Sequence, residues 1–156
     1  MMRYLKAIYA ALVLWPLLLK KSEELEVPIP RLKFFFDAAS QVAGKADTAK
    51  WEIRINLMHK GWRKTLLHEL RHLWQVKHYD DIASWCMNHP EYMKGGEFYR
   101  MCPIEVDAEY YARHHGRSKQ APIEIIGLGA LKEAEEHGTL IEVLAKLSRV
   151  FGDPMS

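Results

Sequence analysis

The 156-residue sequence has few cysteines, little net charge, and no internal repeat or low-complexity tract. Its two cysteines, Cys86 and Cys102, are not in a CxxC pair, so they give no signal for a cysteine-based zinc module. We expect both to be reduced, partly buried thiols; a disulfide stays open, and a metal-ligand role is the least favoured. The formal net charge is only +2 and the basic residues are scattered, which argues against a nucleic-acid partner.

The chain also lacks an apolar run long enough to cross a bilayer as a straight helix. The stretch AIYAALVLWPLLL would span about 20 Å as a helix, whereas a bilayer core needs about 30 Å. A basic start suits a signal peptide, but no small-x-small cleavage site follows. Apolar residues recur at helical spacing, so we predict a helix at residues 1–27 that docks on the protein or lies at a membrane surface. This stripe comprises Leu5, Ile8, Leu12, Trp15 and Leu19.

Sequence periodicity predicts an α+β fold that is mostly helical, in a domain at residues 28–156. KWEIRINLM alternates apolar and polar residues, which predicts a half-buried strand at residues 51–58. This strand would belong to a short sheet directly before a helix from Trp62 to His78. The stretch RLKFFFDAASQVAG predicts an earlier helix that ends at Gly44.

The second half of the sequence predicts further helices. Residues 79–102 indicate a loop region with one short helix near Asp80. Another helix should begin at Pro103, because proline is favoured in a first helical turn, and should run to Gly116. One or two core helices should follow Pro122.

The helix predicted at residues 62–78 carries the sequence HELRH. Residues four apart lie on one face of a helix, so His68 and His72 can direct their imidazole nitrogens at one Zn²⁺. Glu69 leans toward the same face and can hold a zinc-bound water and accept its proton. Zinc lowers the pKa of such a water toward about 7, which makes hydroxide available at neutral pH. We therefore predict a zinc hydrolase in which Glu69 is the general base.

A catalytic zinc needs a third protein ligand, and the candidates lie downstream in CPIEVDAEYYARHH. Glu105 is the preferred ligand, followed by Asp107 and then Glu109. Because Asp107 is rotated by roughly 200° from Glu105 on a helix, the two acids do not easily serve one metal. His114 and His115 are outside candidates, since a three-histidine site is also chemically sound.

HELRH followed by a second helix with a glutamate resembles the zincin metallopeptidases of the gluzincin type. The resemblance implies that Glu105 is the third ligand and that Glu109 supports a ligating histidine. The chain is also similar to minimal single-domain metallopeptidases of phage and bacteria, in the segments HELRHLWQ and PIEVDA. The resemblance covers roughly residues 50–115. The metzincin pattern fails, because Gln75 stands where its extension needs a glycine, although His78 occupies the position of the last histidine.

Other residues near the motif have weaker signals. Tyr110 or Tyr111 could donate to an oxyanion, although such tyrosines are more often core residues. Arg71 should point away from the histidine pair and form an ion pair. The strand at residues 51–58 could be the exposed edge to which zincins add an extended peptide.

Three functions stay open at this point. The favoured one is a zinc metallopeptidase that acts on a peptide or protein, in the cytoplasm or on a membrane contacted by residues 5–19. The second is a zinc deformylase or amidase, which is disfavoured because the cysteine ligand of deformylases precedes the motif. The third is a catalytically silent binding protein of zincin-like fold. Substrate and oligomeric state have no signal in the sequence.

Overall fold

The structure is a computed structural model that describes residues 1–117 and 121–152. It confirms an α+β fold that is mostly helical, with a three-stranded sheet before the HELRH helix. The elements are α1 (Met2–Glu24), β1 (Arg31–Phe35), β2 (Gly44–Asp47), β3 (Glu52–Asn56), α2 (Trp62–His78), α3 (Asp80–Asn88), α4 (Pro90–Met93), α5 (Gly96–Arg100), α6 (Pro103–Arg113), α7 (Pro122–Ile126), α8 (Leu128–Glu136) and α9 (Leu140–Phe151).

The chain divides into two compact units, Met1–Trp74 and Gln75–Ser156, which we call the N-terminal and C-terminal units. The boundary falls inside α2, so the last turn of this helix belongs to the C-terminal unit. The helices predicted around the motif, near Asp80, at Pro103 and after Pro122 are all present. The loop region at residues 79–102 additionally contains the short helices α4 and α5.

The prediction of a helix at residues 31–44 is wrong. Residues 31–35 instead form β1, which pairs in parallel with β3 so that Phe34 lies opposite Ile55. A short apolar run fits either a helix or a strand, and here the pairing with a distant strand decides. The residues that follow are a loop, held in place where the side-chain amide of Asn56 donates to the carbonyls of Asp37 (2.7 Å) and Val42 (3.1 Å).

The alternating strand is present, but it is the middle strand and not the exposed edge that its sequence suggested. The strand order is β1-β3-β2, with β2 antiparallel to β3. Ile53, Ile55 and Leu57 are fully buried, as the alternation predicts, but the strand is not half-buried, because Glu52 and Asn56 on its other face are buried too. Trp51 lies outside the strand with a φ of 51°, and its indole N–H donates to the carbonyl of Pro28 at 2.7 Å. The free edges of the sheet therefore belong to β1 and β2.

The N-terminal helix forms as predicted, but the apolar stripe is not its buried face. The fully buried residues of α1 are Ala10, Leu14 and Leu18, whereas the stripe from Leu5 to Leu19 is exposed. Since α1 is apolar on both sides, spacing alone could not tell which side packs. The N-terminal half of α1 packs against the rest of the N-terminal unit through aromatic rings. The ring of Tyr9 lies edge-on to that of Trp62, with centroids 6.4 Å apart.

The C-terminal unit is built around α6. A cluster of Val106, Leu147 and Phe151 joins α6 to α9. The guanidinium of Arg113, at the end of α6, donates to the carbonyls of Phe151 and Gly152 and so fixes the end of α9.

A buried carboxylate links β1 and β3 on the outer face of the sheet. Glu52 is 1% exposed and pairs with Lys33 at 2.8 Å and with Arg54 at 2.7 Å. The hydrogen bonds from Lys33 and then Arg54 lower the pKa of Glu52 from 4.5 to about 2. A carboxyl whose pKa is lower in the folded state stabilises the fold above its unfolded pKa, and this contribution is lost as the pH falls through the folded pKa.

We expect Glu52→Gln to lower the urea midpoint of unfolding at pH 7 and to lower it much less near pH 2. The pH dependence should lie between about 4.5 and 2, where Glu52 is ionised only in the folded wild type. Urea titrations across this range test it, with Glu23→Gln, at an exposed position of α1, as the control. An equal deficit of Glu52→Gln at every pH would contradict the ion-pair interpretation.

Candidate metal centre

The two histidines of the HELRH motif come together one helical turn apart on α2. Their Nε2 atoms are 3.1 Å apart, and the rings meet edge to face with centroids 4.7 Å apart. Both side chains are half-buried, whereas Leu66, Leu70 and Leu73 on the other side of the helix are fully buried. The amphipathic pattern of α2 thus leaves the histidine face less buried than the leucine face.

The spacing of these two nitrogens suits a tetrahedral metal. Two nitrogens at about 2.0–2.1 Å from Zn²⁺ are about 3.3–3.4 Å apart when the angle at the metal is tetrahedral. The Nε2 atoms of His68 and His72 are 3.1 Å apart, so a small rotation of either ring would fit both to one ion. A hydrogen bond between the rings fits the same distance, with one nitrogen donating and the other accepting.

The candidate general base, Glu69, is only 9% exposed and lies beside the start of β2. A Cβ added to Gly44 would lie 3.1 Å from Cγ of Glu69 and 2.4 Å from Cγ2 of Thr65. The absence of a side chain at Gly44 therefore lets an edge strand approach the turn of α2 that carries the motif. The prediction that Gly44 ends a helix is therefore wrong.

Glu105, the preferred third ligand, lies in the first turn of α6 and is half-buried. The hydroxyl of Tyr99, on α5, donates to its Oε1 at 2.6 Å. This hydrogen bond orients the carboxylate of Glu105. The sequence offered no signal for Tyr99, because residues 79–102 appeared to be loop.

Asp107, the second choice for a ligand, is fully buried and already bonded inside the C-terminal unit. Its Oδ2 accepts from the side-chain amide of Gln75 at 2.8 Å, and its Oδ1 accepts from the backbone N–H of Ile123 at 3.4 Å. The same amide of Gln75 donates to the carbonyl of Ile104 at 2.8 Å. Asp107 therefore acts as a structural residue between helices, and its prediction as a ligand loses its basis.

The remaining candidates on α6 are distant from Glu105 or occupied in packing. His114 and His115 lie past the end of the helix, roughly 14 Å from Glu105 along the axis, and both are exposed. The Tyr110 ring packs against Phe151, with centroids 5.4 Å apart. Tyr111 is 4% exposed. Glu109 is half-buried one turn after Glu105.

Arg71 and the cysteines also have identifiable environments. The guanidinium of Arg71 stacks on the ring of Trp74 at 3.4 Å, a cation–π contact that its sequence position did not suggest. Both cysteines are free and buried, as predicted. Burial and a hydrogen bond to Cys86 raise the pKa of the Cys102 thiol, which suits an inert thiol and not a metal ligand.

We expect Gly44→Ala to destabilise the fold by about 1–3 kcal/mol, because the new methyl group must displace Thr65 and Glu69. Gly129→Ala is the matched control: a methyl group there meets no atom within 4 Å, and alanine is the better helix former. Urea unfolding of both variants measures the difference. Equal stability of the two variants would show that β2 does not approach α2 this closely.

A scan against protein-family models, a search of curated proteins and a search of solved structures found no match to this chain.

Proposed function

We propose that the protein is a zinc-dependent metallopeptidase, with His68 and His72 as metal ligands and Glu69 as general base. The observation that carries the proposal is the approach of the two Nε2 atoms to 3.1 Å on the half-buried face of α2. Helical spacing brings two histidines onto one face, but it does not turn both rings toward one point. The convergence of the nitrogens is the feature that a shared metal requires.

We propose Glu105 as the third ligand because of the hydrogen bonds that hold the start of α6. Gln75 follows His72 by three residues on α2, about one helical turn. Its amide donates to the carbonyl of Ile104, the residue directly before Glu105. Gln75 and Ile123 both donate to the carboxylate of Asp107, and Glu105 is the acid that lies in the first turn of α6, directly after the carbonyl that Gln75 bonds.

The roles of the chain's own residues follow from their chemistry. A bound Zn²⁺ would lower the pKa of its water and polarise the carbonyl of the scissile bond. Glu69 would accept the proton of the attacking water at a carboxylate oxygen and then give it to the leaving amine nitrogen. The low exposure of Glu69 limits competing solvent at that carboxylate. Tyr99 would keep Glu105 in one orientation, as the hydrogen-bonded partners of metal ligands do.

The same proposal places an extended peptide along β2. This strand is an edge of the sheet, and its first residue, Gly44, is the one closest to Glu69. The N–H of Asn56 donates to the carbonyl of Ala43 at 2.8 Å, so Ala43 and Lys45 face β3. By alternation, the backbone groups of Gly44 and Ala46 face the free edge, where they could pair with substrate.

We expect wild-type protein to bind about one zinc per chain, and Glu105→Ala to lower zinc affinity at least tenfold because it removes a ligand. Glu69→Gln should keep zinc but hydrolyse peptides at least about a hundredfold more slowly, because the amide cannot accept the proton. Plasma mass spectrometry and a peptide-library assay measure the two quantities.

The control for Glu105 is Glu142→Ala, which also removes an acid from the first turn of a helix, on α9. Full activity of Glu69→Gln would refute the mechanism. Zinc retained in Glu105→Ala would refute its role as ligand. Zinc with hydrolysis only of formylated peptides or simple amides would favour the deformylase or amidase class. A wild type that binds no zinc would favour a binding protein.

We expect Ala46→Pro to weaken peptide hydrolysis through a higher KM, with zinc content and fold preserved. Proline removes the N–H that faces the free edge and spares the ladder to β3. Lys45→Pro is the matched control, because it removes an N–H on the side of β3 and should destabilise the sheet itself. Steady-state kinetics and thermal unfolding separate the two effects. An unchanged KM in Ala46→Pro would argue against strand addition at β2.

A further inference from the structure

We propose that the exposed face of α1 binds in the plane of an anionic membrane surface. We call this the α1 apolar face, and it consists of Leu5, Ile8, Leu12, Trp15 and Leu19. The proposal concerns a surface separate from the metal centre and does not depend on the proposed activity.

The α1 apolar face is unusually exposed for residues of its kind. The exposed fractions are 61% for Leu5, 58% for Ile8, 70% for Leu12, 45% for Trp15 and 37% for Leu19. No polar side chain other than the tyrosine at position 9 interrupts residues 7–19. Ile8, Leu12 and Trp15 also line a shallow apolar groove of about 350 Å³. A contiguous apolar surface of this kind on a soluble unit indicates a binding partner.

The charges around the face indicate an anionic lipid surface as that partner. Arg3 and Lys6 lie near its start, Lys20 follows it, and no acidic residue comes before Glu23. Each basic residue near an anionic bilayer strengthens binding about fivefold. Tyr4 is 78% exposed and, with Trp15, provides the amphipathic rings that favour the lipid headgroup level.

The contacts of α1 favour a helix that lies in the interface and does not span the bilayer. The helix extends beyond the apolar run at residues 7–19, so by length and composition alone it is long enough to cross a bilayer, with a mean hydropathy of 1.4 over an 18-residue window. However, the opposite side of α1 is packed against the protein, because Ala10, Leu14 and Leu18 are fully buried. At its start, Arg3 stacks over Phe36 at 5.7 Å, and Lys6 stacks over Trp62 at 5.5 Å. A spanning helix would have to lose these contacts along its whole length.

A second copy of the chain suits the same face less well. The face has cations at both ends and no acid between them. Two copies packed face to face, in either direction, would bring cation against cation, which opposes association.

The test is co-sedimentation of full-length protein with vesicles of phosphatidylcholine alone or of an equimolar mixture with phosphatidylglycerol. We expect binding to the mixed vesicles that weakens with salt, and weak binding to phosphatidylcholine. Ile8→Gln with Leu12→Gln should lower the partition coefficient at least tenfold. Lys20→Gln should lower it about fivefold on mixed vesicles only.

The matched control is Ile141→Gln with Val150→Gln, because these α9 residues are equally exposed, at 58% and 65%. This control should bind as wild type does, and circular dichroism should show both double variants folded. The proposal would be overturned if the control variant lost as much vesicle binding as Ile8→Gln with Leu12→Gln. It would also be overturned if the wild type did not bind vesicles. Protein that resists alkaline extraction from membranes would show a spanning helix and overturn the in-plane arrangement. If the wild type does not bind vesicles but forms dimers, and only the double variant Ile8→Gln with Leu12→Gln dissociates them, the α1 apolar face is a self-association surface.

Discussion

The carboxylate of Asp107 accepts a hydrogen bond from the side-chain amide of Gln75 on one oxygen and from the backbone N–H of Ile123 on the other. It is not exposed to solvent. A buried carboxylate with only part of its hydrogen bonds made would cost several kcal/mol, so the groups around it must keep their places. Those groups belong to the last turn of α2, the first turn of α6 and the start of α7. The hydrogen bonds of one buried carboxyl group thus connect three helix ends. The position of Glu105, one residue after the carbonyl that Gln75 also bonds, depends on this arrangement.

The sequence predicts the elements whose signal is local. The period of two in β3 and the HELRH spacing in α2 need no knowledge of distant residues, and the proline at position 103 marks the start of α6. The elements that the sequence does not predict are those that depend on pairing with distant residues. The strand β1 is recognisable only through its pairing with β3, and β2, GKAD, has no apolar alternation at all. Without these two neighbours, the middle strand of the sheet looks like an edge.

The same division applies to the candidate site. His68 and His72 share a face because of helix geometry, and the structure adds the convergence of their nitrogens. Glu105 and Asp107 are both acids near the start of α6, and only the structure shows that Asp107 is fully buried whereas Glu105 is half-buried. Tyr99 and Gly44 were missed, because a hydroxyl in a loop-like segment and a glycine give no sign of what they will face.

The shortness of β2 has a consequence for how long any strand can stay paired with it. Only four residues form this edge, and it carries the charged side chains of Lys45 and Asp47. Each backbone hydrogen bond contributes about 0.5–1.5 kcal/mol net, so two outward-facing residues hold a partner strand only briefly. If the proposed peptidase activity holds, a cleaved peptide would dissociate quickly from this edge. The same weakness keeps the edge from nucleating an intermolecular sheet, so an exposed strand beside the motif helix carries little risk of aggregation.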